Sequence, residues 1–282
     1  MAIQLMVDSA ADINQREAES LGIIMLPMVI TFGEEEFYDG VNLLPQQFYE
    51  RLIESDDLPK TSQISPYRFS EAFEKYTANG DELIVITISS KLSGTYEAAK
   101  KTAEAFNGKV WVVDSLNACI GERLLAFYAL RLLKKGFSAK EIFDELNSAK
   151  KKINVMAVLG TLEYLKKGGR ISKAVAFAGE ILSLKPVIGV IDGEVKLIGK
   201  AIGSRKGYNL LNKLVQDKGG IDFSMPYGTI WSGLDKTVHD KYVRDSAALW
   251  AGHTDGVPSY VLGGTIGTHI GPGAVGVAFF EK

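Results

Sequence analysis

At 282 residues the chain is long enough for two domains, each able to bury a core of its own. Its make-up, 46% hydrophobic and 23% charged, is that of an ordinary globular protein, and a net charge of −2 excludes the basic footprint of a nucleic-acid-binding surface. A single cysteine, Cys119, and three histidines at no zinc spacing, His239, His253 and His269, exclude an intrachain disulfide, a thiolate metal cluster and an HExxH site. No basic-then-apolar segment opens the chain, so no signal peptide is expected. The longest apolar stretch, residues 21–32, is interrupted by Pro27 and falls short of the about 18 residues a membrane span needs. These readings predict a cytoplasmic protein with no stable membrane insertion, transient membrane contact aside. Cys119, among apolar neighbours, reads as a small core residue. The runs Glu34-Glu35-Glu36 and Lys150-Lys151-Lys152 read as solvated faces.

In chain order, residues 3–7 form an apolar strand ending in Asp8-Ser9, and Asp12 with Gln15 resembles a capping box for a helix stopped by Gly22. Residues 23–30 read as one strand bent at Pro27, and Pro45 suits the first turn of a helix through residue 53. Thr61-Ser62-Gln63-Ile64-Ser65-Pro66 reads as a polar loop, with Ser65 and Pro66 as cap and first turn of a helix ending near Gly80. Residues 83–88 are a β-branched run of the kind found in a buried parallel strand, and residues 97–106 a helical one. A further strand, 110–113, closes on Asp114-Ser115. Strands alternating with helices at this spacing predict an α/β first half with a Rossmann-like parallel sheet. Two helices follow, 117–135 with Gly136 as stop, and one opened by the Ser138/Glu141 capping box.

The triple lysine marks the predicted boundary between a 1–153 domain and a 154–282 domain. In the latter, strands are expected at 155–159, 187–191, 195–202, 229–231, 260–262 and 275–280, with Asp192-Gly193 as a hairpin turn and helices at 206–215 and 237–250. This predicts a mixed-sheet α+β domain with helices on one face.

Ser89-Ser90-Lys91-Leu92-Ser93-Gly94-Thr95 joins the buried strand to its helix. The carboxyl edge of a parallel sheet is where open α/β sheets bind ligands, and a helix start offers unpaired N–H groups to an anion. Asp8-Ser9, Thr61-Ser62 and Asp114-Ser115 belong to the same class of strand-end pairs, and several are expected to converge. Read singly, each is a cap or a turn, Ser93 included. Near the C-terminus, residues 263–274 contain five glycines, and Gly271, Gly273 and Gly276 satisfy GxGxxG. The motif needs a strand before and a helix after; here a strand follows, so no nucleotide site is read. What remains is a flexible glycine loop presenting Thr268 and His269. Leu165-Lys166-Lys167-Gly168-Gly169-Arg170-Ile171-Ser172 is a basic turn leading into an apolar segment, 174–184, that reads as a buried helix or as the wall of a greasy cavity. Neither a P-loop nor a GxSxG elbow is present.

Together these pieces resemble the DegV family, the fatty-acid-binding proteins that serve as substrate subunits of bacterial fatty acid kinase. The resemblance is carried by Val7-Asp8-Ser9, Thr61-Ser62-Gln63, the Ser89–Tyr96 turn, Val113-Asp114-Ser115, the turn from Gly160-Thr161 to Arg170-Ile171, Leu184-Lys185-Pro186 and Gly267-Thr268-His269-Ile270-Gly271-Pro272-Gly273. It implies a long-chain fatty acid held between two α/β domains, its tail in an apolar tunnel. Thr61, Ser93 and His269 would hold the carboxylate, with Ser62, Gly94 and Thr268 in support. A separate ATP-dependent kinase protein would phosphorylate the head, giving an acyl phosphate for phospholipid metabolism; the chain itself would be no enzyme and carry no cofactor beyond the bound acid. Arg170 and Arg205 would face the kinase or the transferred phosphate. Two other readings stay open: a serine hydrolase of acyl esters with Ser93 as nucleophile and His269 as base, and a sensor of a different anion.

Overall fold

The computed structural model describes residues 2–172, 183–253 and 256–282. Four strands, β1 (Ile3–Asp8), β2 (Ile23–Leu26), β6 (Glu82–Thr87) and β7 (Val110–Asp114), form a fully parallel sheet in the order β2-β1-β6-β7. Its central strand β6 is buried almost end to end, which is why its sequence is a continuous apolar run with no alternation. Helices α1 (Gln15–Leu21), α3 (Pro66–Thr77), α4 (Thr95–Ala103), α5 (Ile120–Lys134) and α6 (Ala139–Ala149) connect and cover it. The capping signals at Ser65 and at Ser138 with Glu141 are realised. At α1 the cap is Asn14, whose side chain accepts from Glu17 N–H, because Asp12 lies in the left-handed region with φ 55°.

The expected strand over residues 23–30 is two strands in different sheets. β2 stops before Pro27, which has no N–H to give to a ladder, and the chain resumes as β3 (Val29–Phe32). β3 pairs antiparallel with β4 (Glu35–Tyr38) and β5 (Lys60–Ser62), making a small sheet that packs on α2 (Pro45–Glu54) through Ile30, Phe48, Tyr49 and Leu52. Thr61 and Ser62, read as loop, are therefore the last two residues of an edge strand.

The remainder is a six-stranded mixed sheet, β10-β9-β8-β13-β11-β12, built from β8 (Ile153–Val158), β9 (Leu184–Ile191), β10 (Glu194–Ile202), β11 (Tyr227–Trp231), β12 (Ser259–Val261) and β13 (Val275–Phe280). Asp192 and Gly193 turn the β9–β10 hairpin with φ of 52° and 83°, as a two-residue hairpin loop requires. Helices α8 (Ser204–Asp217) and α9 (Thr237–Asp245) cover one face. The other face is not bare, as a helices-on-one-face layout would leave it: α5 packs on β8, β11 and β13 as well as on β1 and β6. With a sheet on each side, α5 is buried almost all round, including Glu122 and Arg123. Gly121 lets it come close, since a Cβ there would lie 2.6 Å from Val155 Cγ2. The apolar segment 174–184 lies, but for its last two residues, outside the described residues.

The largest departure concerns the glycine-rich stretch, which is not a flexible loop. Residues Gly264–Ile270 form a helix, α10, facing a short helix α7 (Glu163–Lys167). Glycine disfavours helix by about 1 kcal/mol per residue, so tertiary contacts must override propensity here. Cβ atoms at Gly264 and Gly267 would collide with Ile30 and Phe48, so the glycines are what allows α10 to lie against the small sheet and α2. No described helix is long and apolar enough to cross a membrane.

Candidate functional site

A cavity of about 260 Å³ lies between the parallel and mixed sheets. Its apolar wall comes from strand and helix positions on both sides: Ile88 and Leu92 after β6, Ala118 and Cys119 before α5, Val155 and Ala157 on β8, Ile188 and Val190 on β9, Val195 on β10, Ile230 on β11 and Ile266 on α10. Its polar end is made by Thr61, Ser62, Gln63, Ser93, Gly94, Arg170 and His269. Expected head residues and apolar wall thus share one space. The expected wall segment, residues 174–184, lies outside the described residues but for its last two; among the described residues the lining comes from strand and helix positions whose side chains give no local signal beyond burial.

His269 closes the last turn of α10, and its Nε2 lies 3.0 Å from Thr61 Oγ1 on the edge strand β5. Its Nδ1 is buried with no partner and faces Gly168, where a Cβ would collide with it. Burial in the first place, and the nearby Arg170 charge in the second, push the imidazole down to about 4, so at neutral pH it is uncharged. Arg170 donates from Nη1 to Gly168 O at 2.6 Å and from Nε to Leu92 O at 3.3 Å. Its fork is thus held by carbonyls, and among the described residues no carboxylate forms a salt bridge with it. A fixed positive charge at the mouth of an apolar cavity suits an anionic head group.

Ser93 is not the cap of the following helix, a place taken by Gly94; in the turn just before it, Ser93 Oγ accepts from Thr95 N–H at 3.3 Å and shares a 2.9 Å hydrogen bond with Thr95 Oγ1. It nonetheless lines the cavity. Ile64 N–H donates to Thr95 Oγ1 at 3.4 Å, and the Gln63 amide packs on Gly94, where a Cβ would overlap it. The Thr-Ser-Gln and Ser-Gly-Thr segments are thereby interlocked, and Gln63, to which the resemblance gives no head-group role, joins the polar end; its place directly after Thr61-Ser62 is the available signal.

Other expected residues sit elsewhere. Thr268 is buried and its hydroxyl donates to Gly264 O at 2.8 Å, within α10; it borders an outer cleft of about 540 Å³ on the far side of Thr61 and His269. Arg170 borders both spaces. Arg205 stands exposed in the first turn of α8 and lines neither. Of the strand-end pairs, Ser9 accepts from Met28 N–H, Ser89 donates to Gly193 O and Ser115 to Asn117 O, all buried structural bonds. No group of three or more His, Cys, Asp or Glu among the described residues is placed to hold a metal ion.

The hydrolase alternative is not supported by this geometry. His269 Nε2 is engaged by Thr61, Ser93 Oγ by Thr95, and among the described residues no hydrogen bond joins Ser93 to His269.

Comparison with known proteins gives one consistent result. A family model described as an uncharacterised protein of the DegV family matches residues 2–282. A DegV domain-containing protein of Caldanaerobacter subterraneus subsp. tengcongensis is 31% identical over 284 residues, covering 99% of each chain. Among solved structures, a DegV family protein from Thermus thermophilus, described by its fatty acid binding, is 30% identical with a TM-score of 0.87 and full coverage of both chains. DegV of Bacillus subtilis, described as a fatty acid binding protein, is 27% identical with a TM-score of 0.81, again over the full length of both. The matched span covers all three sheets and every residue of the cavity, and the chain belongs to the DegV family.

Proposed function

We propose that this protein binds a long-chain fatty acid, its tail in the apolar cavity between the sheets and its carboxylate at the Thr61–Ser93–His269 end, and presents that head to a separate ATP-dependent kinase for conversion to an acyl phosphate. The observation that carries the reading is the polarity of the cavity: apolar side chains along its length, and at one end neutral donors beside the carbonyl-held Arg170. Burying a tail yields about 0.8 kcal/mol per CH₂, on the order of 10 kcal/mol for a long chain before ordering costs. Each head-group hydrogen bond contributes roughly 1–3 kcal/mol. The tail therefore dominates affinity, and the head contacts decide which end stays at the mouth.

A carboxylate next to neutral His269 can accept from its ring N–H, from Thr61 and from Ser93, while Arg170 supplies charge. These groups hold an oxyanion; none is activated to attack it. Phosphoryl transfer would be brought from outside, and the cleft beyond Thr61 and His269, edged by Lys60, Asp56 and Asp57, offers a second approach to the same residues. In this reading the chain divides near residue 153 into two domains with the ligand between them, and it works in the cytoplasm without a cofactor of its own.

Organic extraction of the purified protein followed by mass spectrometry tests the binding step, with a long-chain fatty acid as the expected finding. A protein that neither carries nor takes up such an acid is not a fatty-acid carrier. The presentation step is tested by adding ATP and a kinase-containing fraction: acyl phosphate should form only with both present.

A further inference from the structure

The residues that hold α10 in place are as specific as those it presents. α10 has seven residues, two of them the glycines Gly264 and Gly267, with Gly271 as its C-cap, and is too short and too glycine-rich to stand alone. Its first turn is met by two carboxylates from the other half of the chain. Asp39 Oδ1 accepts from Gly264 N–H at 3.0 Å and its Oδ2 from Thr265 N–H at 3.2 Å. Asp12 Oδ1 accepts from Gly263 N–H at 2.6 Å. These are the donors a helix start leaves unpaired, and a carboxyl oxygen can accept from them whether or not the group is ionised. Asp39 is only 2% exposed, so water cannot take its place. Asp12 is itself fixed, since Arg123, buried in α5, donates to its backbone carbonyl at 2.7 Å while pairing with Glu17. At the opposite end of the same short helix stands His269, bonded to Thr61.

We propose that Asp39, assisted by Asp12, is a positioning residue for the head-group end of the cavity: it clamps the first turn of α10 so that the last turn delivers the His269 imidazole to Thr61 in a water-excluded setting. The inference rests on the fatty-acid reading for its consequence, and on the hydrogen bonds alone for its mechanism. In the Asp39→Asn protein the side chain keeps its size but turns an amide NH₂ toward one of the two N–H groups, so the clamp is lost while the core is not opened. α10 then loosens, water reaches the ring, and His269 ceases to be strongly desolvated.

The test follows the three histidine signals by NMR in the ligand-free protein, with the His269 signal assigned by its absence in His269→Gln. In the parent protein His269 should titrate at about 4. In Asp39→Asn its midpoint should move up toward the ordinary 6.5, and fatty-acid affinity should weaken roughly tenfold. Leu146→Ala, which destabilises α6 at a buried site away from α10, serves as control: it should lower thermal stability and leave the His269 midpoint where it was. An Asp39→Asn protein that is folded, with His269 titrating as in the parent, overturns the proposal and leaves Asp39 a structural cap only. A moved midpoint in a protein that binds no fatty acid would sink the binding reading and leave the clamp standing.

Discussion

Thr61 Oγ1 and His269 Nε2 meet at 3.0 Å although 208 residues separate them, and this one hydrogen bond ties an edge strand of the small antiparallel sheet to the final turn of α10. It can form only when the small sheet, α2 and the C-terminal segment are all docked, so the polar end of the cavity is assembled from distant pieces of the chain. Either group alone would be an unremarkable surface hydroxyl or a buried histidine.

Replacing Thr61 by valine keeps the shape of the edge strand and removes the hydroxyl. His269 Nε2 loses its partner, and a bound carboxylate loses a donor. Fatty-acid affinity should fall by about 1–3 kcal/mol, read by displacement of a fluorescent fatty acid. Unchanged affinity would take Thr61 out of the head-group site.

Arg170→Gln retains a polar side chain in reach of Leu92 O and Gly168 O but deletes the charge. Because burial is the larger cause of the depressed His269 value and Arg170 the smaller, the His269 midpoint should rise from about 4 yet stay below 6.5. Head-group binding should weaken and lose much of its dependence on ionic strength. A His269 midpoint that does not move would show that the Arg170 charge is screened from the ring.

Val190, on β9, points into the apolar part of the cavity. Val190→Trp should leave the polar end intact while shortening the space for the tail. Mass spectrometry of the extracted lipid should then show shorter acyl chains than in the parent protein. The same chain lengths in both would place the tail elsewhere.

How far the sequence carried depended on whether the deciding contacts were local. The parallel sheet was legible because β6 is buried on both faces and its sequence says so, and α6 because Ser138 and Glu141 close a capping box within four residues. Thr61, Ser93 and His269 were legible as chemistry at strand ends and in a glycine-rich tail. The helical state of that tail was not, since the carboxylate of Asp39 that clamps it comes from 225 residues earlier and its glycines argue locally for a loop. The three-stranded sheet was missed for a related reason: Pro27 signalled a bend, but only pairing with β4 and β5 shows that the chain changes sheets there. The apolar wall of the cavity came from alternate positions on β8 and β9 that, as sequence, are indistinguishable from core.

The interior between the sheets holds acidic groups whose titration should be visible in stability. Asp8 is 1% exposed, and burial raises its carboxyl from 3.8 to about 7 in spite of hydrogen bonds from Ile88 and Ala10 N–H. A folded-state value above the unfolded one means that the folded protein binds the proton more tightly. The stabilisation is fully present below about 3.8 and is lost as pH rises through about 7. Between about pH 5 and about pH 8 this amounts to on the order of 2–3 kcal/mol for a single buried group. Asp39, Asp12 and Glu122 shift in the same direction through burial, so the parent slope contains all four. Asp8→Asn removes one of them and cannot ionise. Urea unfolding of both proteins at the two pH values should show a smaller loss of stability on raising the pH in Asp8→Asn than in the parent. Identical losses would mean that Asp8 is already ionised, and paired, in the folded state at the lower pH.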